Sequence, residues 1–253
     1  MNSKEVRQIL ELNERFYQSV FREFSKTRQK PWEGWGRVID ITTKMFGGRI
    51  SDEKSRKSDG IKILDLGCGN GRFLKFIAPK IEKFEYTGVD MNNDLLSEAQ
   101  KIKVLPGKQN KKLVKEDVIL DIRKIDEKYD VVVAFGLTHH IPGQNIRKQW
   151  FEYLPKLLNK PGLLVITFWE FEKNPGDYIL GWGQKPEKPR SESGIKLRTE
   201  TKAEKKSENA RFCHKYSENE IKEIENIFKK SGLKPVEKYR ADNKNLYLIF
   251  GRI

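Results

Sequence analysis

With 253 residues the chain has room for one sizeable α/β domain with appendages, and 37% hydrophobic residues suffice for a packed core. A formal charge of +14, from 50 Lys and Arg against 36 Asp and Glu, favours polyanionic partners, nucleic acid above all. Two cysteines exclude a disulfide framework and a zinc cluster, no stretch reaches the roughly 18 apolar residues of a membrane span, and Met1-Asn2-Ser3-Lys4-Glu5 opens on no apolar signal core, so the expected setting is a reducing cytoplasm without membrane contact.

In chain order, Val6, Ile9, Leu10, Phe16, Val20 and Phe21 recur at about helical spacing and predict an amphipathic helix within Glu5–Arg22. Phe24 to Trp35 reads as a turn-rich aromatic stretch before a helix over Gly36–Phe46, so residues 1–48 are expected to form a helical cap over a cofactor site. Residues 49–60, charged and almost free of apolar side chains, predict a mobile loop. From Ile61 strands and helices alternate. Strands are expected at Ile61–Leu66, Tyr86–Val89, Leu113–Lys115, Val131–Phe135 and Leu163–Phe168, with helices from Gly71, over Asp94–Ile102 and over Asn145–Leu158. Such alternation predicts a mostly parallel sheet with helices on both faces, whose ligands bind beyond the carboxyl ends of the strands. Residues 184–209, dominated by Lys, Glu, Ser, Arg and Pro, predict a flexible basic insertion into a core running from 61 to 253. A helix over Glu218–Lys230 and strands Lys234–Arg240 and Leu246–Phe250, joined by the turn signal Ala241-Asp242-Asn243-Lys244-Asn245, complete the chain.

The most informative run is Lys62-Ile63-Leu64-Asp65-Leu66-Gly67-Cys68-Gly69-Asn70-Gly71. An apolar strand ends at an acid and opens onto alternate glycines, which let the backbone turn and approach a ligand closely. A dinucleotide loop would carry a further glycine where Arg72 stands. Asp90 ends the second strand, where a carboxylate can accept from both hydroxyls of a ribose, with Met91 beside it for an adenine. Asp117, followed by Val118, ends the third strand, where an acid can receive an adenine amino group. Together Asp65, Gly67, Gly69, Gly71, Asp90 and Asp117 resemble the motifs of the class I S-adenosylmethionine-dependent methyltransferases. The resemblance implies a Rossmann-like α/β fold with a C-terminal antiparallel hairpin and S-adenosylmethionine as cofactor.

A narrower resemblance follows from Phe24-Ser25-Lys26-Thr27-Arg28-Gln29-Lys30-Pro31-Trp32, which is similar to the Phe-Ser-x-Thr-Arg-x-Lys-Pro-Trp entry of the tRNA wobble-uridine carboxymethyl methyltransferases. His139-His140 after Phe135 sits where that family has Ile-His-His. Arg211-Phe212-Cys213-His214-Lys215-Tyr216 resembles its Arg-Tyr/Phe-Tyr-His-x-Phe element, and Asp242 with Asn245 its late Asp-x-x-Asn-Trp turn. The sequence departs from the family at Phe168-Trp169-Glu170-Phe171-Glu172-Lys173, where Trp169 is kept among changed neighbours, and at Leu246, which replaces the family's last Trp beside a Tyr247 able to compensate.

The resemblance implies O-methylation of the carboxylate of 5-carboxymethyluridine in a tRNA anticodon loop. It implies Arg28, Trp32 and Phe135 at the cofactor, and His139, Trp169, Arg211, His214, Asp242 and Asn245 at the substrate, with no metal and with a small zinc-binding activator subunit as a partner in some members. An anionic oxygen needs no strong base, so positioning should dominate, with Arg211, His214 or His139 holding the carboxylate. Lys101, Lys103, Lys108, Lys111, Lys112 and Lys115 form a basic stretch suited to phosphates. Two other readings fit the same residues: a methyltransferase for a small-molecule carboxylate or other metabolite, and a non-catalytic S-adenosylmethionine-binding subunit.

Overall fold

The structure is a computed structural model in which residues 1–50, 60–182 and 210–253 are described. The expected basic insertion lies outside the described residues, as does the expected mobile loop from 51 to 59. Arg49, read as the start of that loop, belongs instead to a helix. In chain order the elements are α1 (Ser3–Thr27), α2 (Trp35–Ile50), β1 (Ile61–Leu66), α3 (Arg72–Ile77), β2 (Phe84–Asp90), α4 (Asn93–Gln100), β3 (Gln109–Lys115), β4 (Tyr129–Ala134), α5 (Gln144–Tyr153), β5 (Leu158–Trp169), β6 (Gly176–Gly181), β7 (Ala210–Lys215), α6 (Glu218–Lys230), β8 (Lys234–Ala241) and β9 (Asn245–Arg252). No helix among the described residues is long and apolar enough to cross a membrane.

Seven strands form one sheet in the order β3-β2-β1-β4-β5-β9-β8. The first five run parallel, and β9 lies antiparallel to both β5 and β8, giving the mostly parallel sheet with an antiparallel C-terminal pair that the sequence predicts. All six residues of β4 are buried, as a strand covered on both faces requires. Strand alternation divides the core into two layers. Leu64, Leu66, Val132, Ala134, Leu164 and Ile166 face Trp150, Phe151 and Phe228 on one side. Ile63, Val131, Val133, Leu163 and Val165 face Trp35, Val38, Phe73 and Leu74 on the other.

Three local differences from the sequence reading bear on function. Helix α1 begins at a reciprocal capping box between Asn2 and Glu5 and continues through Phe24 to Thr27, because Phe24 packs edge-on against Tyr17 one face along. The aromatic stretch read as turns is therefore partly helical. Helix α2 extends past Phe46, where Arg49 pairs with buried Asp130 at 2.9 Å. The third difference is a separate two-stranded ribbon, β6 with β7, unforeseen in the sequence reading. Its strand β7 is docked on α1, where the Asn13 Oδ1 accepts from the Phe212 N–H at 2.7 Å. Between β8 and β9, Asp242 and Asn243 both take positive φ (56° and 65°), the turn chemistry that Asp and Asn tolerate best after glycine.

Candidate active site

Beyond the carboxyl ends of β1, β2, β4 and β5 lies a cavity of about 710 Å³. Of the residues picked from the sequence, Arg28, Trp32, Asp65, Gly67, Gly69, Asp90, Met91, Asp117, Val118, Phe135, His139, Trp169, Arg211, Asp242 and Asn245 line it. Gly71 and His214 do not.

At one end the glycine loop is held by β2. Gly67 and Cys68 donate to the Val89 carbonyl at 2.8 and 3.1 Å, and Gly69, at φ 54°, donates to Asp90 Oδ2 at 2.9 Å. Asp90 Oδ1 accepts from the Asn92 N–H at 2.9 Å, and burial raises the carboxyl's pKa. Backbone N–H groups orient that carboxylate at the cavity wall, where its remaining lone pairs can accept from ligand hydroxyls. Asp65, beneath the loop, is buried and accepts from the Tyr86 hydroxyl at 2.6 Å; burial raises its pKa to about 7. Gly71 serves packing. A Cβ there would meet the Ala99 Cβ at 2.8 Å, and its φ of 73° starts α3. Asp117 Oδ1 caps its own turn, accepting from Ile119 and Leu120, while the side chain also lines the cavity.

Two features of this end were not anticipated. Arg72 lies over Trp32 and Trp35, its Cζ 5.2 and 5.4 Å from the ring centroids, and joins Arg28 at the cavity wall. Burial, then the neighbouring Arg28, lowers its pKa to about 10. Two arginines close together await an anion such as an amino-acid carboxylate. The Asn92 Nδ2 and Trp35 Nε1 groups, on residues lining the cavity, are buried without partners among the described residues, so the wall holds unspent donors.

The opposite end is made by α1, the turn after β4, the end of β5, and β7. His140 bridges them: Nδ1 lies 2.9 Å from the Phe212 carbonyl and Nε2 lies 2.8 Å from the Tyr17 hydroxyl. The carbonyl can only accept, so Nδ1 carries the proton and Tyr17 donates to Nε2. Burial, then Arg211, pushes His140 down to about 3, and burial, His140 and Arg211 hold His139 well below the usual histidine range. Both rings are neutral at physiological pH. His139 packs on Trp169 with centroids 5.1 Å apart, and its Nδ1 is buried without a partner among the described residues.

Arg211 is the chemical centre of this end. Its guanidinium lies 4.7 Å from the Phe16 ring and 5.6 Å from Trp169, its Nε is buried without a partner, and it forms no ion pair with a carboxylate among the described residues. Burial favours the neutral form, but Tyr17 and Cys213 outweigh it and the pKa is raised. A permanent cation held against aromatic rings suits an anionic ligand. Ligand atoms of His139, His140 and Cys213 fall within 4.8 Å of one another. With His140 spent on Tyr17 and Phe212 and with Arg211 alongside, this set suits a hydrogen-bonded network better than a cation.

The remaining predicted residues take supporting positions. Asp242 accepts from the Tyr247 hydroxyl and, at 3.3 Å, from the Gly34 N–H, latching the segment between α1 and α2 to the β8–β9 turn. Asn245 is buried opposite Trp169 in the β5–β9 register. Leu246 is spent in the core layer against α5 and α6, and Tyr247 points the other way to stack on Tyr239. Neither replaces the missing Trp, and the aromatic wall is Trp169. His214, expected at the substrate, is locked outside the cavity between Asp177 at 2.6 Å and Glu220 at 3.0 Å. Burial would raise Glu220, but hydrogen bonds from His214 and Ser217 lower it to about 2. This cluster ties β7 to β6 and α6 and so positions Arg211. Asn13, Tyr17 and Arg72 complete the site without a local signal, apart from Arg72 standing where a dinucleotide loop has glycine.

Residues 64–164 match a family described as a methyltransferase domain. The chain is similar to the tRNA (carboxymethyluridine(34)-5-O)-methyltransferase of Arabidopsis thaliana, at 27% identity over 66% of this chain and 35% of that protein. It is similar also to the Saccharomyces cerevisiae protein of that name, at 26% identity over 67% of this chain and 53% of that one. It thus spans about a third and about half of these relatives' lengths. Among solved structures, magnesium protoporphyrin IX methyltransferase from Synechocystis PCC 6803 superposes with a TM-score of 0.58 at 15% identity, covering 95% of this chain and 97% of that one. The superposition shows a Rossmann-like fold, and residues 64–164 within it are similar to a methyltransferase domain.

Proposed function

We infer that this class I S-adenosylmethionine-dependent methyltransferase esterifies the carboxylate of 5-carboxymethyluridine at the wobble position of a tRNA. One observation carries the reading: Arg211, a guanidinium held against Phe16 and Trp169 with no carboxylate partner among the described residues, lines the same cavity as the glycine loop and Asp90.

The cavity fits the cofactor. The Gly67–Gly69 loop leaves room for close approach, Asp90 offers acceptors for ribose hydroxyls, Asp117 and Val118 border the adenine position, and Arg28 with Arg72 offers charge for the methionine carboxylate. S-adenosylmethionine supplies an electrophilic methyl group when bound.

The chain's own residues then have little proton chemistry to perform. A carboxylate is ionised at neutral pH, so it arrives as a competent nucleophile, and neutral His139 and His140 are not required as bases. Arg211 orients the carboxylate through charge-assisted hydrogen bonds, and the buried His139 Nδ1 faces a shortage of partners that a substrate atom can relieve. Buried Phe16 backs Arg211 and keeps water from it, and Trp169, which lines the cavity, offers a stacking face for an unstacked base. The names of the similar proteins support carboxymethyluridine as the substrate, and a chain charge of +14 supports tRNA as the partner.

The test is methyl transfer from labelled S-adenosylmethionine to bulk tRNA carrying carboxymethyluridine, with and without a small zinc-binding activator subunit, followed by mild alkali and nucleoside mass analysis. Base-labile label on the wobble uridine is expected. Base-stable label, or label on a carboxylate metabolite with tRNA untouched, would overturn the assignment.

A further inference from the structure

Outside the glycine loop, where the end of α1 meets α3 and α4, lies a second cavity of about 690 Å³. Arg28, Gln29, Asn70 and Arg72 line both cavities, so the two share one wall. Arg28, Arg72, Lys75, Lys101 and Lys103 line the second, against one carboxylate, Glu98, among its described lining residues. That carboxylate is already taken by Lys101 at 2.6 Å. Lys75 reaches the neutral Gln29 Oε1 at 3.5 Å, and Lys103 pairs with no carboxylate among the described residues. Lys111 adds charge behind the groove, its Nζ donating to the Ile102 carbonyl at 2.6 Å.

A second observation points to a ligand. The Ser25 hydroxyl, on a residue nine-tenths buried in the groove wall, has no hydrogen-bond partner among the described residues. A buried hydroxyl beside five cations and a single carboxylate is the donor set that phosphate oxygens satisfy. A single small anion would occupy one or two of these cations, whereas here they come from α3 and from the segments that follow α1 and α4. A concave basic track sharing a wall with a catalytic cavity suits a flexible polyanion whose one reactive unit enters that cavity.

We propose that this groove binds the phosphodiester backbone of the RNA substrate next to the nucleotide held in the active site. The proposal rests on the RNA-substrate reading given above and adds the path of the strand. Each phosphate contact made by a groove lysine contributes to the salt dependence, about 0.7 in the log–log slope for a single strand.

The test uses the full chain and unmodified tRNA, with binding measured across a salt series and S-adenosylmethionine affinity measured in parallel. The triple variant Lys75→Gln, Lys101→Gln, Lys103→Gln should bind tRNA about tenfold or more weakly at low salt and lower the slope by about 2, with cofactor affinity unchanged. Glu98→Gln should act in the opposite direction and tighten tRNA binding. Wild-type affinity and slope in the triple variant, or no salt-dependent tRNA binding by the wild-type chain, would overturn the groove. Unmodified tRNA keeps the two readings separable. A chain that binds tRNA through the groove yet makes no base-labile ester overturns the proposed reaction alone; ester formation with an unaffected triple variant overturns the groove alone.

Discussion

The two ends of the cavity are held together over very different distances along the chain. At the cofactor end, Gly69 reaches Asp90 and Tyr86 reaches Asp65 across 21 residues each, and the partners sit on adjacent parallel strands. At the other end, Asn13 reaches Phe212 across 199 residues and Tyr17 reaches His140 across 123. The first end is a loop fixed by its own sheet. The second exists only when α1, the turn after β4, and β7 are docked together, and it places the Arg211 guanidinium in the cavity wall. The difference teaches that cofactor affinity and substrate chemistry should be separable by mutation.

Arg211→Ala should break that separation most visibly. Loss of a charged donor aimed at the reacting group is expected to lower kcat/KM about 10²- to 10³-fold, with cofactor affinity changed less than about twofold. Arg211→Lys should recover part of the loss, since the charge returns without the planar fork. Equal damage to cofactor binding would erase the distinction between the two ends. Asp90→Asn is the reciprocal change. It should weaken S-adenosylmethionine binding about 10- to 100-fold by calorimetry, while leaving tRNA binding intact.

His214→Asn probes the support of the second end. Removing the ring between Asp177 and Glu220 should cost roughly 1–3 kcal/mol in denaturant unfolding, with a modest loss of kcat through a misplaced Arg211. A collapse of turnover at unchanged stability would return His214 to the substrate.

The smallest effect is a pH dependence of stability in the cofactor-free chain. Asp65, raised to about 7 by burial, binds a proton in the folded chain between pH 7 and its unfolded value near 4, so it adds stability as the pH falls. His140, pushed to about 3, acts in reverse: below its unfolded value of about 6.5 the unfolded chain takes the proton and stability is lost. Each slope is at most about 1.4 kcal/mol per pH unit, and they oppose. Asp65→Asn removes the gain, so its Tm should fall more steeply than the wild type's between pH 7 and pH 4.5. Parallel Tm curves would refute the buried, protonated Asp65.

The same contrast accounts for what could be read from the residues alone. The alternating strands, the loop Gly67–Gly71 and the acids at strand ends are local patterns, and the mostly parallel sheet follows from them, whereas its strand order comes from the structure. Gly71 was misread as lining because loop glycines look alike in sequence, whereas the closeness of Ala99 gives this one a packing role. The β6–β7 ribbon was missed because each strand is short and they are joined through the basic stretch. His214 sits three residues from Arg211 on the same strand, and odd and even positions of a strand face opposite ways; only the placement of Asp177 and Glu220 reveals which one is bound up. Leu246 and Tyr247 illustrate the same parity, one taken by each core layer.

The most direct test of Arg211 as the carboxylate receptor is an equilibrium comparison. An anticodon stem-loop bearing carboxymethyluridine is measured against one bearing the neutral carbamoylmethyl group, on the chain loaded with S-adenosylhomocysteine. The acid should bind at least about tenfold more tightly, a charge-assisted difference of about 1.4 kcal/mol, and Arg211→Ala should abolish that preference. Equal binding of the two stem-loops, or a preference for the acid that survives Arg211→Ala, would contradict the assignment.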